Sequence, residues 1–166
     1  MSTNLTSGPR VLLAGAGEIS QDNGGVRDRF MIDGSDTGMR FSLVEHLFPA
    51  RALAAPLHRH HDEDEFTLVT RGRIGALLGD AEVVAGPGDL IFKPRGQWHT
   101  FWNAGDEDAA CLEIISPGGL EQAFREMAGL GPSLDPDALA ELAARHGCDI
   151  DMDATGPVIA RHNLVF

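Results

Sequence analysis

Between residue 27 and about residue 124, apolar and polar side chains alternate in short runs, and glycine, proline, asparagine and aspartate interrupt them every few positions. A period of two is the signature of a strand with one buried face. The pattern predicts strands over 40–48, 65–70, 73–78, 82–85, 89–93, 99–103 and 109–116. Gly72, Gly79-Asp80, Gly86-Pro87-Gly88, Pro94-Arg95-Gly96 and Asn103-Ala104-Gly105-Asp106 supply the turns between them. Many short strands at this spacing point to an all-β sandwich or barrel.

The period changes after Ser116-Pro117-Gly118-Gly119. Leu120, Phe124 and Met127 recur at helical spacing. Residues 129–132 break that helix, and Ser133 or Asp135 can cap a second one with Pro136 in its first turn. Ala138, Leu139, Leu142 and Ala143 form its apolar face, and Gly147 ends it. The remaining tail to Phe166 has room for one more short element. Val11-Leu12-Leu13-Ala14 reads as a short strand. The glycines that follow do not make a dinucleotide loop, because Ser20 stands where G-x-G-x-x-G needs its third glycine and no apolar helix follows. The organisation expected is a tail over 1–10, a β-barrel over 11–116 and a helical extension over 117–166.

At 166 residues the chain suits one domain with a core of its own. Lys and Arg number 13 against 25 Asp and Glu, a net charge of −12 that repels phosphate backbones and argues against nucleic-acid binding. The apolar run at 11–14 is too short for a signal segment or a membrane span, so the expectation is a soluble, cytoplasmic protein. Cys111 and Cys148 are far apart, with no metal or redox spacing.

Chemistry concentrates in two segments, His58-Arg59-His60-His61-Asp62-Glu63-Asp64-Glu65 and Pro94-Arg95-Gly96-Gln97-Trp98-His99. On a strand, residues i and i+2 share a face, so His58 and His60 aim one way and His61 the other. Glu65 begins the next strand and His99 a later one. Three imidazoles and a carboxylate suit one divalent transition metal and leave coordination positions open.

The spacing also carries a resemblance. His58-x-His60, Glu65 after four residues and Gly72 after six more reproduce the first box of the cupin superfamily. Gly88, Pro94-x-Gly96, His99 and Asn103 reproduce the second, with residues 73–87 between the boxes. One departure is Ala52, where a glycine often stands six residues before the first histidine. The chain resembles a single-domain cupin, and its C-terminal helices are similar to those of small quercetinase-like cupins. The resemblance implies a double-stranded β-helix, or jelly roll, with one metal (Fe, Ni, Mn, Cu, Co or Zn) inside, held by His58, His60, Glu65 and His99. It also invites the comparison in which Glu65 acts as a catalytic base.

Among the other residues, Phe101 shares the face of His99 and is the better pocket candidate, with Val69 and either Phe41 or Leu43 as further lining. Trp98 and Trp102, on the opposite face, pack the sheet. His61 belongs on the rim, His46 in the core, and His146 and His162 in structural roles. Glu113 either faces solvent or lines the barrel as a base. These residues lead first to an oxygenase of the dioxygenase type acting on an aromatic or polyketide-like molecule, with O2 as co-substrate. Non-redox cyclisation or isomerisation, and binding without turnover, are the alternatives. A homodimer is expected, because a barrel of this kind leaves an edge strand to be covered.

Overall fold

The computed structural model describes residues 8–22, 24–130 and 135–166. Eleven strands form two antiparallel sheets among the described residues. They are β1 (Glu18–Ile19), β2 (Arg27–Ile32), β3 (Ser42–Phe48), β4 (Leu57–His60), β5 (Asp64–Arg71), β6 (Ile74–Leu78), β7 (Ala81–Ala85), β8 (Leu90–Lys93), β9 (His99–Asn103), β10 (Ala109–Ser116) and β11 (Cys148–Asp151). One sheet has the order β1-β2-β3-β10-β5-β8, the other β11-β4-β9-β6-β7. Pairing of β3 with β10, β10 with β5 and β4 with β9 winds the chain between the sheets as a double-stranded β-helix. The all-β barrel with C-terminal helices read from the sequence is the fold observed.

Alternation decides which side chains meet between the sheets. On β5, Glu65, Thr67 and Val69 point inward; on β10, Cys111, Glu113 and Ile115 do. One end of the interior is a packed apolar core containing Phe48, Val69, Ile74, Ile91, Phe101 and Cys111. The middle is polar, and the far end is closed by helices. Strand β9 is buried on both faces because α3 (Met152–His162) covers its outer side, with the His162 ring 4.5 Å from that of Trp102.

Leu120, which precedes helix α1 (Glu121–Gly129), and Ala123 within it pack against Phe30, Val44 and Ile115, and α2 (Pro136–Arg145) adds Leu142 to the same cluster. The Asp135 side chain accepts from the Asp137 amide and caps α2, with Pro136 following it. Ser133, the other cap candidate, lies outside the described residues. The tail holds more than one short element: β11 pairs with β4 along its length, and α3 follows directly.

The strand expected over 11–14 is not formed. These residues run without a ladder partner into a turn at Ala14-Gly15, and pairing begins only at β1. The cause is burial: Val11 is 85% and Leu13 70% exposed, so the run has no apolar face to sink. No helix among the described residues is long and apolar enough to cross a membrane.

Glu121 fastens α1 to the barrel. Its two carboxylate oxygens accept from the Gly34 and Gly119 amides at 2.7 Å each, far from solvent. A Cβ on Gly34 would stand 2.8 Å from the Gly119 nitrogen, so the two loops meet this closely only because Gly34 is glycine. Burial raises the Glu121 pKa, but the backbone donors outweigh it and the net shift is downward. A lowered folded pKa contributes stability above the unfolded value, and that stability is lost as pH falls through the folded value. Glu121→Gln is therefore expected to cost about 1–3 kcal/mol at neutral pH. In urea titrations the gap between variant and wild type should close below roughly pH 4; a gap that persists there would refute this account.

Candidate metal centre

Strands β4, β9 and β5 bring together residues that the chain keeps apart. His58 pairs with His99 across β4 and β9, and Glu65 faces them from the opposite sheet. One ligand atom from each of His58, His60, Glu65 and His99 lies within 4.8 Å of the others, and all four residues are buried. The imidazole centroids are 4.3 to 5.4 Å apart.

The hydrogen bonds behind the rings set their tautomers. His58 Nδ1 lies 2.7 Å from the Pro56 carbonyl, and His99 Nδ1 lies 2.9 Å from that of Gln97. A carbonyl only accepts, so each Nδ1 carries a proton; His58 Nε2 can present a lone pair, and His99 Nε2 can do so once it gives up its 3.0 Å contact with Glu65 Oε2. His60 Nδ1 is 3.0 Å from Cys148 Sγ, which itself donates to the His146 carbonyl. This leaves His60 Nε2 buried with no hydrogen-bond partner. A buried polar atom without a partner is costly. A divalent cation fits this donor set, since it satisfies the Nε2 atoms and Glu65 at once, with each imidazole oriented from behind.

Electrostatics agree with that fit. Burial, reinforced by the charges of His99 and His60, holds His58 well below the usual histidine range and so neutral. Burial is the largest single influence and pulls His60 down too, but Glu65 and Cys148 together outweigh it and push the group up to about 10. A metal must therefore displace that proton, and binding is favoured as pH rises. Burial raises Glu65, but Lys93 and His60 hold it well below the carboxylate range, so it is ionised.

Lys93 is the main residue that sequence reasoning missed. Its side chain is fully buried, with Nζ 3.1 Å from Glu65 Oε2, 3.1 Å from Glu113 Oε2 and 3.9 Å from the centre of the Phe101 ring. Glu113, given two options in the sequence, faces inward and accepts from Thr67 Oγ1 at 2.9 Å. The available signal was parity: Ile91 and Lys93 share a face of β8, so an inward Ile91 requires an inward Lys93.

A narrow cleft, partly open to solvent, runs past His58 and Glu65. Phe101 lines it, along with Phe124 and Met127 of α1 and the polar pair His46 and Asp28. His46 is thus both buried and part of the cleft wall. Val69 is not: it sits in the apolar core. Four residues along β5 from Glu65 is roughly 13 Å, which carries Val69 to the packed apolar end. Leu43 faces outward, in a surface cleft with Arg10 and Asp36, and Phe41 precedes β3 beside Thr37, to which its amide donates. His61 is on the rim, 3.1 Å from Asp149. Trp98 lies under Arg59, and Trp102 packs beneath α3. His146 and His162 pair with Glu126 and Glu82 on the surface.

Residues 44–115 match the profile of the cupin domain family. The fold is similar to that of KdgF from Halomonas sp. (TM-score 0.61, 16% identity, covering 69% of this chain and 99% of that one). It is also similar to a predicted oxalate decarboxylase from Thermotoga maritima (0.60, 17%, covering 65% and 99%). A third likeness is to a sugar phosphate isomerase of the cupin superfamily from Silicibacter pomeroyi (0.54, 23%, covering 64% and 75%). No curated protein matches in sequence. At these identities the likeness speaks for the fold, while the activity must be argued from the site. The matched segment contains both histidine boxes and most of the barrel that holds them: residues 44–115 match the cupin domain family, and the chain shares the cupin fold.

Proposed function

We propose that the protein is a metal-dependent enzyme acting on a small, largely apolar molecule that chelates the metal, and that its reaction is of the dioxygenase type. The observation that carries this reading is the convergence of His58, His60, Glu65 and His99 beside a cleft walled by Phe101, Phe124 and Met127. A bound transition metal supplies Lewis acidity, orientation of a chelating substrate and, if redox-active, O2 chemistry. With a metal bound, the three histidines would present Nε2 lone pairs and Glu65 a negative charge, while Lys93 bridges Glu65 and Glu113 behind them. The apolar walls exclude water and select an aromatic or polyketide-like skeleton. The co-substrate under this reading is O2.

A non-redox reading, isomerisation or cyclisation, is favoured by one observation: the Glu65 carboxylate lines the cleft beside His58, where a bound substrate would meet it as a proton acceptor.

The test begins with elemental analysis of protein purified without added metal or chelator, followed by reconstitution with iron, nickel, manganese or zinc. About one metal per chain is expected, with O2 uptake on flavonols or polyketide phenols when the metal is redox-active. Turnover that proceeds with zinc and without O2 would transfer the assignment to the non-redox reading. A protein that takes up no metal would overturn both.

A further inference from the structure

A second buried pair stands in the same cleft, apart from the four clustered residues. Asp28 on β2 and His46 on β3 are cross-strand partners, both inward and both buried. His46 Nδ1 is 2.7 Å from Asp28 Oδ1. The carboxylate accepts, so Nδ1 carries the hydrogen and Nε2 is the working nitrogen. The backbone fixes Asp28 in turn, since its amide donates to Ser20 Oγ at 2.9 Å.

The imidazole is also held by shape. The Phe101 and Phe124 rings meet it edge-on, with centroids 5.7 and 5.5 Å away. Nε2 lies 3.8 Å from Glu113 Oε2, beyond hydrogen-bonding distance. One nitrogen is committed to a carboxylate, the ring is clamped, and the residue lines a cleft that also reaches His58 and Glu65. A histidine that served only to tie β2 to β3 would need neither the cleft nor an available second nitrogen. A carboxylate-oriented histidine open to a cleft is the arrangement that proton transfer requires.

We propose that His46, oriented by Asp28, is a catalytic acid–base residue that exchanges a proton with a hydroxyl of the molecule held at the metal centre. The ligand class is a small aromatic or enolisable molecule with two neighbouring oxygens, at least one an ionisable hydroxyl. In the forward step the substrate O–H bond breaks and its proton moves to His46 Nε2. An imidazolium forms beside Asp28, whose carboxylate stays ionised, and the electron pair stays on the substrate oxygen. The groups facing His46 suit this basicity. Burial lowers its pKa, Asp28 and Glu113 raise it, Lys93 opposes them, and the net shift is upward. The inference rests on the metal reading above, and its test is built to separate the two.

The probe is 4-nitrocatechol, whose colour changes on ionisation, added to wild type, His46→Gln and Asp28→Asn loaded with redox-inert zinc. Zinc content, affinity and protons released on binding are measured for each. All three proteins should hold the same zinc, since neither residue is a ligand. His46→Gln should bind the probe at least about tenfold more weakly, the expected cost of a lost hydrogen bond to a charged group. It should also release up to one more proton per bound catechol to solvent, and Asp28→Asn should fall between. Equal affinity and equal proton release in His46→Gln would overturn the proposal and leave the pair structural. A zinc-loaded wild type that ignores the probe would overturn the ligand class. A wild type that takes up no zinc would overturn the metal reading, and this proposal with it. Should either variant fail to fold, ¹⁵N NMR of the zinc-loaded wild type decides the matter. The probe must shift the His46 Nε2 resonance, and an unmoved signal would overturn the proposal.

Discussion

Replacing His99 with alanine is expected to strip the protein of its metal, lowering affinity by more than about 100-fold. Removing an outer partner of a ligand typically costs 10–100-fold, and loss of the ligand itself exceeds that. Under the proposed metal reading His99 is the ligand from the later hairpin, fixed by its Nδ1 bond to the Gln97 carbonyl, with Nε2 3.0 Å from Glu65 Oε2. Without it, His58 and His60 come from one strand and Glu65 alone faces them, so no donor remains on β9. His61→Ala is the matched control, since its side chain is 53% exposed and points away from the cluster. Elemental analysis after gel filtration, with circular dichroism to verify the fold, reads the result. Unchanged stoichiometry in His99→Ala would remove the four-ligand centre.

Lys93→Met should destabilise the metal-free protein by about 3–5 kcal/mol, the usual cost of leaving a buried charge without its partner. The lysine lies between Glu65 and Glu113, and its removal leaves two carboxylates facing each other across the barrel with no cation among them. Burial lowers the Lys93 pKa, but Glu113 and Glu65 raise it further, so the ammonium is the form present. A metal at the histidines supplies positive charge beside Glu65, so the loss should be smaller in zinc-loaded protein. Lys93→Met combined with Glu113→Gln should recover part of it. Urea unfolding of chelator-treated and zinc-loaded samples measures all of this. A metal-free loss below about 1 kcal/mol would show that the network is not held by the lysine.

Much of the site was legible because it depends on short-range rules. His58 and His60 share a face by strand parity alone, and the box spacing put Glu65 and His99 on two further strands, which the fold sets in opposite sheets. Gly72 and Gly96 sit at positive φ, where turn residues were expected. Other residues were not legible, for identifiable reasons. Strand β8 reads Leu90-Ile91-Phe92-Lys93, and hydrophobicity cannot choose its inner face. The fold turns Leu90 and Phe92 outward, 60% and 50% exposed, and buries Lys93 with Ile91. Val69 had the right face but the wrong depth, because alternation carries no information about position along the barrel axis.

The sequence by itself determined the strand-and-turn grammar, the switch to helices after Ser116, and the four residues that meet at the candidate metal centre. Each follows from a local period, a turn residue or a fixed spacing. Only the tertiary structure decided what surrounds that centre. Asp28, His46, Phe124 and Lys93 reach the interior from four separate elements, and Cys148 reaches His60 through the pairing of β11 with β4. The electrostatics of the site are set by these neighbours. They come from segments as far apart in the chain as Asp28 and Cys148, and only long-range strand pairing and helix packing bring them together.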